Sequence, residues 1–272
     1  MLGAQTGDYT ALHINVGVDY FEGNIDCLKY LLSIWGECEE LFYKIANKEN
    51  DELRTYADEM ATPIKGNIQK TFEENYSFKL DNMEDFYRFL YNIQVRDKLK
   101  SLIEIPFIDD YDIYTKYINS NTEDERYEIF RKILNKDKFT IVGIKCNSVN
   151  FTHMMSENGL DGRIEFRLFN NIMDFDTILL NITLVGRIMY ICHELANGNK
   201  DILEKYNSLL NRNVSEEEKL NLLLNLLFND DTKDVFINRW KSVKNKWIYK
   251  KFISGENTFN TDEIKQLKKT TF

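Results

Sequence analysis

The chain is expected to fold as an α+β protein, a few strands within a helical framework. Three observations lead there. Residues 11–21, ALHINVGVDYF, and 162–170, GRIEFRLFN, alternate polar and apolar side chains with a period of two. Residues 25–46 and 174–198 carry apolar side chains at three-four spacing, and the chain after 199 continues in the helical pattern. A few strands set within a mostly helical framework is the α+β layout. A length of 272 residues suits one large domain or two small ones with a sizeable core.

Along the first strand His13, Asn15, Gly17 and Asp19 alternate with Ile14, Val16 and Val18, and FEGN breaks it. The helix over 25–46 then places Ile25, Leu28, Leu31, Leu32, Trp35, Cys38, Leu41, Phe42 and Ile45 on one face. Residues 52–67 lose that period and contain Pro63 and Gly66, which marks a loop. Residues 68–137 read as a helical insert. DNMEDFYRFLYNIQ puts Met83, Phe86, Phe89, Leu90 and Ile93 on one face, with Asp81 or Asn82 as cap, and NTEDERYEIFRKIL reads as a second short helix. Residues 138–152 are extended, and SENGLDG then turns the chain into the 162–170 strand, a hairpin closed by a Gly-containing loop.

The 174–198 segment is predicted to be a long, largely buried helix, capped by Asp174 and followed by Gly198. Further on, Ser215 and Glu218 have the spacing of a capping box. Val235, Ile237, Trp240, Val243 and Trp247 form the apolar stripe of a last helix, and the tail from Ser254 reads as loosely ordered. Neither an internal repeat nor a low-complexity linker divides the chain. One domain over 1–198, carrying the 68–137 insert, is expected to continue into a helical extension over 199–272.

Net charge is −9, so a nucleic-acid footprint, which needs a basic patch, is not expected. A few local arginines can still bind an anion. Cys27, Cys38, Cys146 and Cys192 are scattered without a CxxC pair, which reads as reduced, mostly buried thiols rather than disulfides or zinc. With no charged-then-apolar leader and no unbroken apolar run near the length of a span, the chain is expected to be cytoplasmic and free of membrane.

The three histidines differ in promise. His193 lies on a helix beside Glu194 and reads as a core-edge residue; His153 ends a strand-like run after Asn150; His13 shares a strand face with Asn15 and with Gly17, where something can approach closely. Arg163, Glu165 and Arg167 share one face of the second strand. Such alternation describes a solvated sheet face, with Glu165 and His13 far apart. The residue types also suit a site. Arginine presents a planar, permanently charged fork for carboxylate or phosphate, and a carboxylate between two arginines stays ionised and can give Mg²⁺ one of the few protein oxygens it takes at a nucleotide.

HINVG (13–17) and RIEFRLFN (163–170), in that order, resemble the amidoligase family, ATP-dependent carboxylate–amine ligases of the glutamine synthetase and glutamate–cysteine ligase superfamily. DYFEGNIDCLKYLLSIWGECEELFYKIAN is similar to the helix after the family's histidine strand, and KCNSVNFTHMMSENGLDGRIEFRLFN to its Asn strand, turn and Arg-x-Glu-x-Arg strand. The resemblance covers 11–197 with gaps; 68–137 and 199–272 lie outside it. It implies a curved, mostly antiparallel sheet of glutamine synthetase-like type whose concave face binds Mg-ATP and substrate. It implies that His13 binds metal or phosphate with Asn15 beside it, and that Glu165 ligates a nucleotide-associated Mg²⁺. Arg163 would face the nucleotide phosphates, Arg167 would hold the substrate carboxylate and its acyl phosphate, and Asn147 and Asn150 would line the same face. The implied partners are small-molecule or peptide carboxylates and amines. Asp19 and Asp161 are the candidates for a base toward the amine.

The sequence departs from the family in one respect. The family's Gly-x-Glu-x-Glu strand, which lies upstream of the histidine strand and helps hold the metals, has no counterpart here; the nearest acidic stretch, IEIP at 103–106, offers only Glu104. Three expectations follow: the chain is the C-terminal part of such an enzyme, a partner chain or oligomer completes the site, or the fold persists as a non-catalytic binding or assembly module.

Overall fold

The structure, a computed structural model, describes residues 12–46, 68, 84–85, 88, 91, 115–116, 119–134, 147–151, 154, 162–169, 174–211 and 213–242. Within them lie three strands, β1 (Leu12–Gly17), β2 (Val149–Asn150) and β3 (Arg163–Phe169). Six α-helices accompany them: α1 (Ile25–Ile45), α2 (Glu123–Leu134), α3 (Phe175–Ala196), α4 (Lys200–Leu209), α5 (Glu216–Leu227) and α6 (Thr232–Ser242). The fold is α+β. The sheet is antiparallel, in the order β1–β3–β2, with β3 central.

The first strand is shorter than its alternation suggests. It stops at Gly17, and Val18–Phe21 wind into a 3₁₀ turn. Glu22 and Gly23 then take positive φ (51° and 75°), where Gly costs nothing and Glu22 carries the strain of the reversal. Asn24 caps α1, its side chain accepting from the Asp26 amide. α1 is the core helix. Its apolar stripe packs on the Ile164/Phe166 face of β3, on α3 and on α6, with the Trp35 ring 5.4 Å from Phe166 and 4.7 Å from Phe42. Burying rings of this size contributes about 1.5–3 kcal/mol each. Gly36 is part of the fit, because a Cβ there would meet Ile68 Cγ2 at 3.0 Å.

Asp174 caps α3 through the Thr177 amide, and Gly198 follows its end at φ 77°, as the sequence predicts. The burial prediction needs correcting. α3 is buried on one side against α1, α4, α5 and β1, while Phe175, Leu179, Ile182 and Tyr190 are exposed along the other. Among the described residues α3 is the one helix long and apolar enough to cross a bilayer, and its buried stripe lies within the protein core. The capping-box serine also forms its bond, Ser215 Oγ accepting from the Glu218 amide at 3.1 Å.

In α6 the predicted stripe holds at Ile237 and Trp240, which pack half-buried against the core, and fails at its first position. Val235 is exposed, whereas Phe236, stacked on Phe228 at 5.3 Å, and Arg239 are buried. A polar residue takes the core position because the Arg239 guanidinium finds acceptors there, donating to the Ile45 carbonyl at 3.2 Å and to Asn181 Oδ1 at 3.0 Å. Helices α4, α5 and α6 join the same hydrophobic core as α1, α3 and the sheet. The helical extension therefore packs as part of this core. The predicted 52–67 loop, the Met83–Ile93 face, the hairpin loop, Val243, Trp247 and the tail fall outside the described residues.

Candidate active site

The sheet gathers its polar side chains on the face opposite α1. Register pairs Asn15 and Asn150, from the two flanking strands, with Glu165, and Gly17 with Arg163. Between the Leu12–Phe169 and Ile14–Phe166 pairs, β3 holds one residue more than β1, so His13 stands opposite the Arg167–Leu168 step. Sheet pairing thus collects His13, Asn15, Asn150, Arg163, Glu165 and Arg167 from segments about 150 residues apart in sequence.

Glu165 is the hub. Its Oε1 lies 2.9 Å from His13 Nδ1 and 3.1 Å from Arg167 Nη1, and its Oε2 accepts from Asn150 Nδ2 at 3.0 Å. The contact with His13 removes the reading in which the two are far apart on a solvated face. Burial gives the same answer, since Glu165 and Arg167 are only 8% and 7% exposed while Arg163 is open to solvent. Burial pushes the Glu165 carboxyl up, but the hydrogen bonds from His13 and Asn150 and the charge of Arg167 outweigh it and hold the group far below the usual carboxylate range. Glu165 is therefore an ionised, tightly oriented carboxylate. Facing it, His13 Nδ1 is the nitrogen that carries hydrogen in the neutral ring, and Nε2 holds the lone pair.

At the open end Arg163 Nε donates to Asn15 Oδ1 at 3.1 Å, and the two terminal nitrogens of this exposed guanidinium make no hydrogen bond among the described residues. What comes close to Gly17 is the chain itself, because a Cβ there would collide with Asp19 Oδ1. Asp19 is exposed beside this end of the sheet. Asn147 is buried three residues before Asn150, but the side chains that reach Glu165 among the described residues are His13, Asn150 and Arg167. His193 sits away from the site at the end of α3, half-buried, its ring 5.3 Å from Tyr20. His153, Asp161, Glu104 and Cys146 lie outside the described residues; Cys27, Cys38 and Cys192 are buried.

Among the described residues no three His, Cys, Asp or Glu side chains gather as a metal-binding set. The donor chemistry fits a narrower role. Mg²⁺ prefers carboxylate and phosphate oxygens and takes one or two protein carboxylates when it travels on a nucleotide. Glu165 would be the residue to offer such an oxygen; the imidazole of His13, a poor direct ligand for Mg²⁺, contacts Glu165 instead, at 2.9 Å.

Sequence reasoning passed over one group behind the sheet. Trp35 Nε1 donates to Glu39 Oε1 at 3.1 Å and to Ser148 Oγ at 3.0 Å, Ser148 Oγ also donates to Glu39 Oε1, and Glu39 is fully buried. The available signal was position: residue 39 lies four after Trp35 and three before Phe42, so it stands on the apolar stripe of α1. Comparison with family models, with curated proteins and with solved structures gives no match to this chain.

Proposed function

We propose that this chain is an ATP- and Mg²⁺-dependent carboxylate–amine ligase of the amidoligase type, with the sheet extended in the glutamine synthetase-like manner. The observation that carries the reading is the contact of His13 and Arg167 with one ionised Glu165 across β1 and β3. Mg-ATP supplies the phosphoryl group that activates the carboxylate substrate. The chain's own task is positioning and charge neutralisation, which needs no protein nucleophile. Exposed Arg163, held by Asn15, meets the nucleotide phosphates with its guanidinium fork. Arg167 holds the substrate carboxylate and the acyl phosphate formed from it, while Glu165, itself held by Asn150, keeps its guanidinium in place. His13 steadies Glu165 through Nδ1 and presents Nε2 to the ligand. An intracellular location, where ATP is available, belongs to the same reading.

The test is phosphate release from ATP with Mg²⁺ and a panel of amino acids as carboxylate and amine. Release that depends on both substrates and is lost in Arg163→Ala supports the ligase; absence of release with every pair counts against it.

A second reading is a non-catalytic binding or assembly module. It is favoured by the lack of a Gly-x-Glu-x-Glu run in these 272 residues and by the engagement of both Glu165 oxygens by neighbouring side chains. Under it Mg-ATP leaves the thermal midpoint unmoved, because only a ligand of the folded state raises it.

A further inference from the structure

We propose that Glu39, on the far side of the sheet, is a positioning residue for the Glu165 cluster. β2 is only two residues long, so it has few ladder bonds of its own, yet it must deliver Asn150 to Glu165 Oε2 at 3.0 Å. What fixes it lies just before it. Ser148 accepts from the Arg167 amide through its carbonyl at 2.8 Å, and its hydroxyl crosses to α1 to donate to Glu39 Oε1. Trp35 Nε1 approaches both Glu39 Oε1 and Ser148 Oγ and joins them in a polar cluster inside an apolar layer. One residue, Ser148, thus joins the core helix by its side chain and the arginine-bearing strand by its backbone. Asn150 follows two positions later.

The chemistry of position 39 argues for such a role. A carboxylate buried between Trp35, Ser148 and the sheet is costly to desolvate, and an apolar side chain would fill the same helix position at no such cost. What Glu39 adds is direction. An acceptor at that point selects one placement of Ser148, and through the backbone one register for the short strand. The neighbouring Trp35 ring, stacked on Phe42 and against Phe166, gives the acceptor a rigid base. Glu39 acts through Ser148 and Asn150.

The inference concerns the geometry of the cluster, and only its consequence for turnover rests on the ligase reading. The test uses the full chain with ¹⁵N-labelled histidine and compares Glu39→Leu, Glu39→Gln, Ser148→Ala and Asn150→Ala, with circular dichroism to check folding. The His13 Nδ1 resonance, assigned by its loss in His13→Gln, reports the contact with Glu165. Glu39→Leu and Ser148→Ala are expected to shift it in the same direction as Asn150→Ala, and Glu39→Gln, which keeps the acceptor, to restore most of the wild-type position. An unchanged resonance in folded Glu39→Leu and Ser148→Ala overturns the proposal. So does a Glu39→Gln spectrum as displaced as that of Glu39→Leu. Should Glu39→Leu fail to fold, Ser148→Ala, which removes one hydroxyl, decides alone. Where the wild type releases phosphate, Glu39→Leu should lower kcat at least tenfold and Glu39→Gln only a few-fold. A wild type with no turnover speaks against the ligase and leaves the resonance result to decide this inference.

Discussion

Arg167 Nη1 lies 3.1 Å from Glu165 Oε1 on the same strand, and both residues are more than nine-tenths buried. Removing one charge strands the other in a poorly hydrated place. Glu165→Ala and Arg167→Ala are each expected to cost about 3–5 kcal/mol, the range for breaking a buried pair by deleting one partner. The double variant should cost less than the sum of the two by about 0.5–3 kcal/mol, since the residues share one network. Urea unfolding of the three proteins measures both quantities. Additive losses, or single losses under about 1 kcal/mol, would contradict the burial and coupling described above.

The same cluster sets an acid limit. Glu165 titrates far below the usual range in the folded state, where His13, Asn150 and Arg167 face it, and near about 4.3 when unfolded. A group with a depressed folded pKa contributes stability that is present above its unfolded value and lost as pH falls toward its folded one. Below about pH 4.3 the unfolded chain binds the extra proton, so stability falls with falling pH by up to about 1.4 kcal/mol per unit from this group alone. Glu165→Gln should be less stable at neutral pH and flatter on the acid side. Denaturant midpoints measured from pH 6 down to pH 3 would show the two curves converging; parallel curves would mean that Glu165 is not held ionised.

Much of this was legible in the sequence, for reasons that differ by element. Alternation in HINVG and RIEFRLFN placed two strands with one polar face, and the caps at Asp174 and Ser215 form as their spacing implies. Periodicity also separated the sheet face of Glu165 from that of Phe166. It could not tell a wet charged face from a buried one, because what covers a face is decided by residues distant in the chain. Nor could it show that Glu165 takes donors from both flanking strands, which depends on the register of β1 and of β2 on β3. Glu39 was hidden by being read as one more position of an amphipathic helix, and Arg239 by the rule that charged residues face water. In both cases a distant acceptor or donor, Ser148 for one and Ile45 with Asn181 for the other, overrides the local pattern.

Arg163 should behave unlike Arg167. It is exposed and, among the described residues, donates to Asn15, so Arg163→Ala is expected to change stability by no more than about 0.5 kcal/mol. Its effect should appear in ligand binding. If Mg-ATP raises the thermal midpoint of the wild type, Arg163→Ala should weaken that binding at least tenfold, about 1.4 kcal/mol, while the ligand-free midpoint stays put. Titration calorimetry with Mg-ATP separates the two effects. A ligand-free midpoint that falls as far as that of Arg167→Ala would make Arg163 a structural residue.

Thiol chemistry offers a check on the core. Burial pushes the Cys27 thiol up to about 11 and that of Cys192 well above its usual value. At pH 8 the thiolate fraction of a group titrating near 11 is about one in a thousand. Cys27, Cys38 and Cys192, all buried, should resist a disulfide reagent in the folded protein and react in denaturant. Their reaction rate against urea concentration would then track unfolding. Fast labelling of Cys27 in native buffer, located by mass spectrometry, would contradict the packing of α1 on α3.

The buried Arg239 ties α6 to α1 and α3. Arg239 donates to the Ile45 carbonyl at the end of α1 and to Asn181 Oδ1 on α3, with its guanidinium carbon 5.5 Å from the Phe236 ring centroid. Arg239→Leu keeps apolar bulk but leaves two acceptors without that donor, each deprived acceptor costing about 1–3 kcal/mol. Arg239→Lys keeps the charge but replaces a planar fork with a compact ammonium, and should recover only part of the loss. Both losses should be largest in α6 and the last turn of α1. Hydrogen exchange measures this locally: earlier opening of 232–242 and of the amides near Ile45 in Arg239→Leu is the expected result. Uniform protection across these segments would show that the Phe236–Phe228 stack, 5.3 Å between centroids, suffices to seat the helix.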